Sequence, residues 1–163
     1  MVASNVFYYE TEIDWQREKT GQLSSEGLPS FTVGAPPEFK GNAGQWTPEH
    51  LLVASVNSCF MLTFLVIAEN SQIAILSFSS GAEGKLEKVE GAGYQMTEIV
   101  LKPRVVIECA QDLHRTTKVL EKAKANCFVT NSIKTAVKIE PQVFHRQIQT
   151  SPCPLGEASA VID

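Results

Sequence analysis

The sequence predicts an α+β fold with mostly antiparallel strand pairing, and three observations carry that expectation. Strand-like and helix-like segments come in blocks (strands, helix, long hairpin, helix, strand) instead of alternating as βα units. The longest apolar run, Leu51 to Ala68, contains no charged residue and is opened by residues that start helices. No glycine-rich phosphate loop, internal repeat or long linker divides the chain.

Val6 to Trp15 is rich in aromatic and β-branched residues and reads as a first strand. The polar run QREKTG turns the chain, Gln22 to Ser24 pairs back, and Ser30 to Val33 forms another short strand. Ala35 to Gln45 holds two prolines with Gly41, Asn42 and Gly44, which makes it a loop. The loop delivers the chain to a capped helix start. Thr47 can accept an orphan backbone N–H, Pro48 suits a first helical turn, and Glu49 sits near the positive end of the dipole.

From Pro48 to Glu69 such a helix would be roughly 33 Å long. A charge-free run of this length meets the lower bound for a membrane span. Ser55, Asn57, Ser58 and Thr63 interrupt it, and the nearest basic residues are Lys40 and Lys85, so no positive flank sets an orientation. The expectation is therefore a long buried central helix, apolar nearly all round because protein covers it on every side. One chain of 163 residues has little left to surround it, which suggests a partner subunit.

Beyond Asn70, Ile73 to Lys88 alternates loosely as a strand with one wet face. Gly91-Ala92-Gly93 signals a turn, and Tyr94 to Cys109 gives a second long strand. Pro103 would place its position at an edge or a bulge. Gln111 to Ala125 reads as a surface helix with Leu113, Thr117, Leu120 and Lys124 at three- and four-residue steps. Cys127 follows, then a short helical turn, and Ala136 to Phe144 reads as a last strand. Residues 1–144 are expected to form a single domain, with 145–163 as a loosely held tail.

The composition, 44% hydrophobic and 20% charged with a formal net charge of -4, fits one globular domain. Mild acidity without a basic cluster argues against nucleic acid as a partner. The N-terminus lacks the basic and apolar regions of a signal peptide, so the expectation is a cytoplasmic protein whose cysteines rest as thiols. The four cysteines (Cys59, Cys109, Cys127, Cys153) make no CxxC pair or zinc spacing. His50, His114 and His145 add no metal-like spacing, and no metal, flavin or nucleotide cofactor is implied.

Two segments resemble a known family. WTPEHLLVASVNSCF, Trp46 to Phe60, is similar to the helix opening of the OsmC/Ohr thiol peroxidases. KAKANCFVTNSIK, Lys122 to Lys134, is similar to that family's second cysteine motif, and the order of elements agrees as well. The resemblance implies an OsmC/Ohr-like fold and an intertwined homodimer. It also implies Cys59 as peroxidatic cysteine, Cys127 as resolving cysteine and Glu49 as active-site glutamate. The activity implied is reduction of organic hydroperoxides through a sulfenic acid and an intrachain disulfide. A dithiol, such as a lipoyl group, would be the reductant.

Attack on a peroxide needs a thiolate, whereas a free cysteine has a pKa of about 8.5. Cys59 lies too deep in its helix for the dipole to help, so a cation is expected beside it. Relatives supply an arginine from the first turn or from the loop before the helix. Here the loop has Glu38 at that place, leaving Arg17 or Lys19 of the turn as candidates. The departure keeps a second function class open, a non-catalytic OsmC-like dimer that binds an apolar small molecule at the subunit interface.

Overall fold

The structure, a computed structural model, describes residues 5–146. Chain contacts divide it into two compact units, one up to Leu52 and one from Val53 onward.

The first unit is built on a three-stranded antiparallel sheet, β1 (Glu12–Arg17), β2 (Thr20–Ser24) and β3 (Phe31–Gly34) in that order. Glu18 takes a positive φ of 48° in the β1–β2 turn, and the register shifts between Trp15 and Arg17. The first strand begins later than expected, at Glu12 and not at Val6. The reason is local: Glu12 already pairs with Ser24, the last residue of β2, so earlier residues meet no ladder there. Val6, Phe7, Tyr8 and Tyr9 are left exposed. After β3, the Gly34 N–H donates to the Trp46 carbonyl at 2.9 Å, which closes the intervening loop. Thr47 is then buried as the next helix starts, and its hydroxyl accepts the His50 N–H at 3.4 Å, as a capping residue should.

Helix α1 (Pro48–Asn70) matches the expected span to within a residue, and from Val53 it belongs to the second unit. There it is followed by the hairpin β4 (Ile75–Val89) and β5 (Gly93–Ile107), then α2 (Leu113–Asn126) and the one-turn α3 (Phe128–Asn131). Two short strands, β6 (Ala136–Ile139) and β7 (Gln142–His145), end the described chain. The single last strand expected from the sequence is thus two, split at Glu140-Pro141. Both run parallel to β5, so the sheet is mixed, while the β4–β5 ladder is antiparallel.

That split accounts for Pro103, which is neither at a bulge nor on an edge strand. β6 pairs with residues 98–101 of β5 and β7 with residues 104–107, so Pro103 sits in the gap between two ladders. A missing N–H costs little where no partner strand waits for it.

Val56, Phe60, Phe64 and Ala68, four residues apart on α1, are buried. The Phe78 ring lies 6.5 Å from Phe60 and 5.4 Å from Phe64. Burying such a side chain contributes about 1.5–3 kcal/mol. From β5, Ile99, Leu101, Val105 and Ile107 are also fully buried. The buried face of α2 is Thr116, Val119, Leu120 and Ala123, and not the Thr117 and Lys124 positions that the spacing suggested. Thr116 can go inside because its hydroxyl donates to the Asp112 carbonyl at 2.8 Å.

α1 is not covered on every side by its own chain. Leu62 is 59% and Val66 56% exposed, because the buried residues form one stripe only. By length and composition α1 is sufficient to cross a membrane. Cys109, expected to rest as a plain buried or edge thiol, is buried and disulfide-bonded, because a cysteine's redox state depends on a partner within bonding reach and not on its own burial. Cys153 and the tail beyond Arg146 lie outside the described residues.

Candidate active site

The second unit brings Cys59 and Cys127 together as free thiols in hydrogen-bond contact. Cys59 is half-buried on the shoulder of α1, between its buried stripe and its exposed face. Cys127 is fully buried and caps α3 with an extended backbone, φ -70° and ψ 117°. The C-terminal end of α2 therefore presents Cys127 to α1, and the chain turns at once into α3. The first N–H groups of such a turn have no partner within it. Those of Phe128 and Val129 point at the Cys59 sulfur.

The two thiols are driven in opposite directions. Burial pushes the Cys59 pKa up, yet the net shift is downward. Hydrogen bonds from the Val129 N–H, the Cys127 thiol and the Phe128 N–H, with a smaller contribution from Thr63, favour its thiolate. The Thr63 hydroxyl already donates to the Cys59 carbonyl at 2.8 Å, so it serves the sulfur only by turning. Cys127 is pushed up first by burial; hydrogen bonds from Thr130 pull it back, and its bond and charge interaction with Cys59 raise it further, so the net shift is upward. The pair is thus polarised, Cys59 the more readily ionised and Cys127 the less, with the thiol proton shared toward Cys59.

Within the second unit, the groups that lower the Cys59 pKa are backbone amides and neighbouring hydroxyl and S–H donors, with no cation among them. The signal was present in the sequence: Thr63 follows Cys59 by one helical turn, and Cys127 opens a turn of its own. What the sequence could not tell was that α3 would aim its amides at α1.

A cleft of about 630 Å³ opens beside Cys59, walled by Leu62, Val66 and Ile67 of α1 and by Phe128 and Val129 of α3. Its lining is almost entirely apolar, and its size is that of a small-molecule site.

The other expected residues lie in the first unit. A second cleft of about 590 Å³ there is lined by Trp15, Lys19, Val33, Phe39 and Glu49, among others. The Lys19 ammonium donates to the Phe39 carbonyl at 2.6 Å, whereas Arg17 ends β1 as an exposed residue. The Oε2 of Glu49 is buried without a hydrogen-bond partner, an arrangement that is costly for a carboxylate unless something else completes it. His50 is occupied elsewhere, its Nδ1 lying 2.9 Å from the Thr47 hydroxyl. Among the described residues no group of three or more His, Cys, Asp or Glu could hold a metal ion.

Residues 41–142 match the family model of OsmC-like proteins. The peroxiredoxin OsmC of Escherichia coli is 29% identical over 134 residues, covering 81% of this chain and 91% of that protein. An OsmC-like protein of unknown function from Vibrio cholerae has a solved structure that superposes with a TM-score of 0.78 at 25% identity. That match covers 84% of this chain and all (100%) of the other. An organic hydroperoxide resistance protein OsmC from Legionella pneumophila gives a TM-score of 0.70 at 20% identity, over 86% and 99% of the two chains.

The arrangement predicts the titration of Cys59. Alkylation by iodoacetamide should show a midpoint below the ordinary cysteine value of about 8.5. Cys127→Ala removes a donor to the thiolate, so the midpoint should rise, and the rate at neutral pH should fall severalfold. A midpoint that does not move would mean that Cys127 contributes nothing to the charge on Cys59.

Proposed function

The chain belongs to the OsmC-like protein family, and on that premise we propose that it is a cysteine-dependent peroxidase that reduces organic hydroperoxides to alcohols. The observation that carries this reading is the Cys59–Cys127 pair, one sulfur favoured as thiolate and the other held protonated, at the wall of an apolar cleft. The similarity to the peroxiredoxin OsmC of Escherichia coli and to the organic hydroperoxide resistance protein of Legionella pneumophila supports it.

The chemistry follows from the two protonation states. The Cys59 thiolate attacks one oxygen of R–O–O–H, so that an S–O bond forms and the O–O bond breaks. The departing RO⁻ takes up a proton and leaves as alcohol, and Cys59 is left as a sulfenic acid. Cys127 then attacks that sulfur. An S–S bond forms, the S–O bond breaks, and the hydroxyl leaves with the Cys127 proton as water. A dithiol, such as a lipoyl group, returns two electrons and restores both thiols. Apolar walls favour an organic peroxide over hydrogen peroxide, and the protein works in the cytoplasm.

The reading includes a homodimer whose sites draw on both chains. Phe7, Tyr8 and Tyr9, and Leu62 and Val66 on the outer face of α1, are exposed, and contiguous exposed apolar surface marks interaction sites. Ten residues of helix put Glu49 about 15 Å from Cys59 along the axis and about 80° away around it, too far for contact in one chain. An antiparallel pair of α1 helices would bring Glu49, with Lys19, toward the partner's sulfur and would give the unpaired Glu49 oxygen a use.

A second reading is favoured by Glu38 at the place of the family's arginine and by the apolar cleft. On it the chain is a dimer that binds an apolar small molecule without turning it over. Counting free thiols before and after one equivalent of cumene hydroperoxide separates the two. The peroxidase loses two thiols per chain rapidly, and an unchanged count would leave only the binder.

The shared site has its own test. Cys59→Ser and Glu49→Ala chains, each inactive, are mixed under subunit exchange. A cross-chain site places both defects in one of the two sites and frees the other, so part of the activity returns. Confirmed exchange without recovery would put each complete site inside one chain.

A further inference from the structure

One hydroxyl beside the cysteine pair has no task in the fold. Other helical hydroxyls of this chain donate to the carbonyl four residues back: Thr63 to Cys59, Thr116 to Asp112 and Ser132 to Phe128, each at 2.8 Å. Thr130 makes no such bond, and its Oγ1 is buried without a hydrogen-bond partner. A buried hydroxyl left unsatisfied is costly, and a catalytic role is one of the few reasons to keep it. Thr130 follows Cys127 by three residues in a closed turn, where the Asn131 N–H donates to the Cys127 carbonyl at 3.0 Å. That spacing brings the two side chains together on one face. The hydroxyl is not aligned as a full bond to the sulfur, yet it stands near enough to draw the Cys127 pKa down. A hydroxyl proton turns to suit its acceptor.

The need for such a donor arises after the first oxidation. In the reduced pair the Cys127 thiol donates to Cys59, and charge on Cys59 opposes a second charge beside it. Once Cys59 is a sulfenic acid, that charge is gone. Burial then disfavours the Cys127 thiolate, and Thr130 favours it. Cys59 of α1 is the titratable group that acts on Cys127. α2 packs on α3 and carries Lys122 and Lys124, but neither is among the main influences on that sulfur.

We propose that Thr130 is a positioning residue for the resolving step, its hydroxyl turning to donate to the Cys127 sulfur as negative charge develops there. The inference rests on the peroxidase reading. In that step the S–S bond forms, the S–O bond of Cys59 breaks, and the departing hydroxide takes the Cys127 proton and leaves as water. Thr130 keeps its own proton throughout.

The test mixes reduced protein with one equivalent of cumene hydroperoxide and follows sulfenic acid and disulfide by rapid quenching and mass spectrometry. Thr130→Val keeps the shape and removes the hydroxyl. It should slow disulfide formation about tenfold at neutral pH, the effect of one hydrogen bond to a charged sulfur. The pH midpoint of that step should rise by about one unit. Thr130→Ser should restore both. Because valine leaves no orphaned hydroxyl, Thr130→Val protein should melt no lower than the parent. An unchanged rate, a slow rate with an unmoved midpoint, or a serine variant as slow as the valine one overturns the proposal. So does a valine variant that melts markedly lower, which makes the hydroxyl structural. A parent protein that forms neither sulfenic acid nor disulfide removes the peroxidase reading instead. Titration then decides the role of Thr130: in Cys59→Ala protein with isotope-labelled cysteine, Thr130→Val should raise the Cys127 midpoint seen by NMR, and an unmoved midpoint overturns the proposal there too.

Discussion

The Cys59 thiol, set in an apolar wall, ionises more readily than an ordinary cysteine because hydrogen-bond donors converge on it. Burial alone would hold it as a thiol, and a thiol is a poor nucleophile toward a peroxide. Two backbone N–H groups and the Cys127 thiol outweigh that burial. The same bond that lowers Cys59 raises Cys127, so the two thiols are driven apart. Two residues of one type are thereby given different tendencies to ionise.

The fold can be understood as what holds these donors in place. α1 is fixed by its stripe of Val56, Phe60, Phe64 and Ala68, with Phe78 of β4 against the two phenylalanines. α2 is fixed by Leu120 and Ala123, which leads without slack to Cys127 and α3. β6 and β7, both parallel to β5, take up the chain after α3 and end the described sheet. Because the amides of Phe128 and Val129 belong to the backbone, their aim depends on where α3 starts and not on any one side chain.

Much of the fold was legible from residue order. Thr47 and Pro48 marked the start of α1, the Gly91–Gly93 turn marked the long hairpin, and Cys127 stood correctly between two helices. The failures have physical reasons. β1 begins at Glu12 because pairing needs a partner strand, whatever the β propensity of Val6 to Tyr9. Pro103 fits inside β5 because the neighbouring strand is broken there, which no local pattern announces. The buried face of α2 includes Thr116, whose hydroxyl is satisfied by its own helix, so polarity misled the periodicity. The pairing of Cys59 with Cys127 was readable from two cysteines in motifs, whereas backbone donors leave no mark in a sequence.

Trapping of the oxidised sulfur tests the central claim most directly. Cys127→Ala protein is treated with one equivalent of cumene hydroperoxide in the presence of dimedone, and its peptides are mapped by mass spectrometry. The account predicts a dimedone adduct on Cys59, formed with loss of one thiol per chain and release of one cumyl alcohol. Unmodified Cys59 after complete exposure, or an adduct confined to another residue, would contradict it.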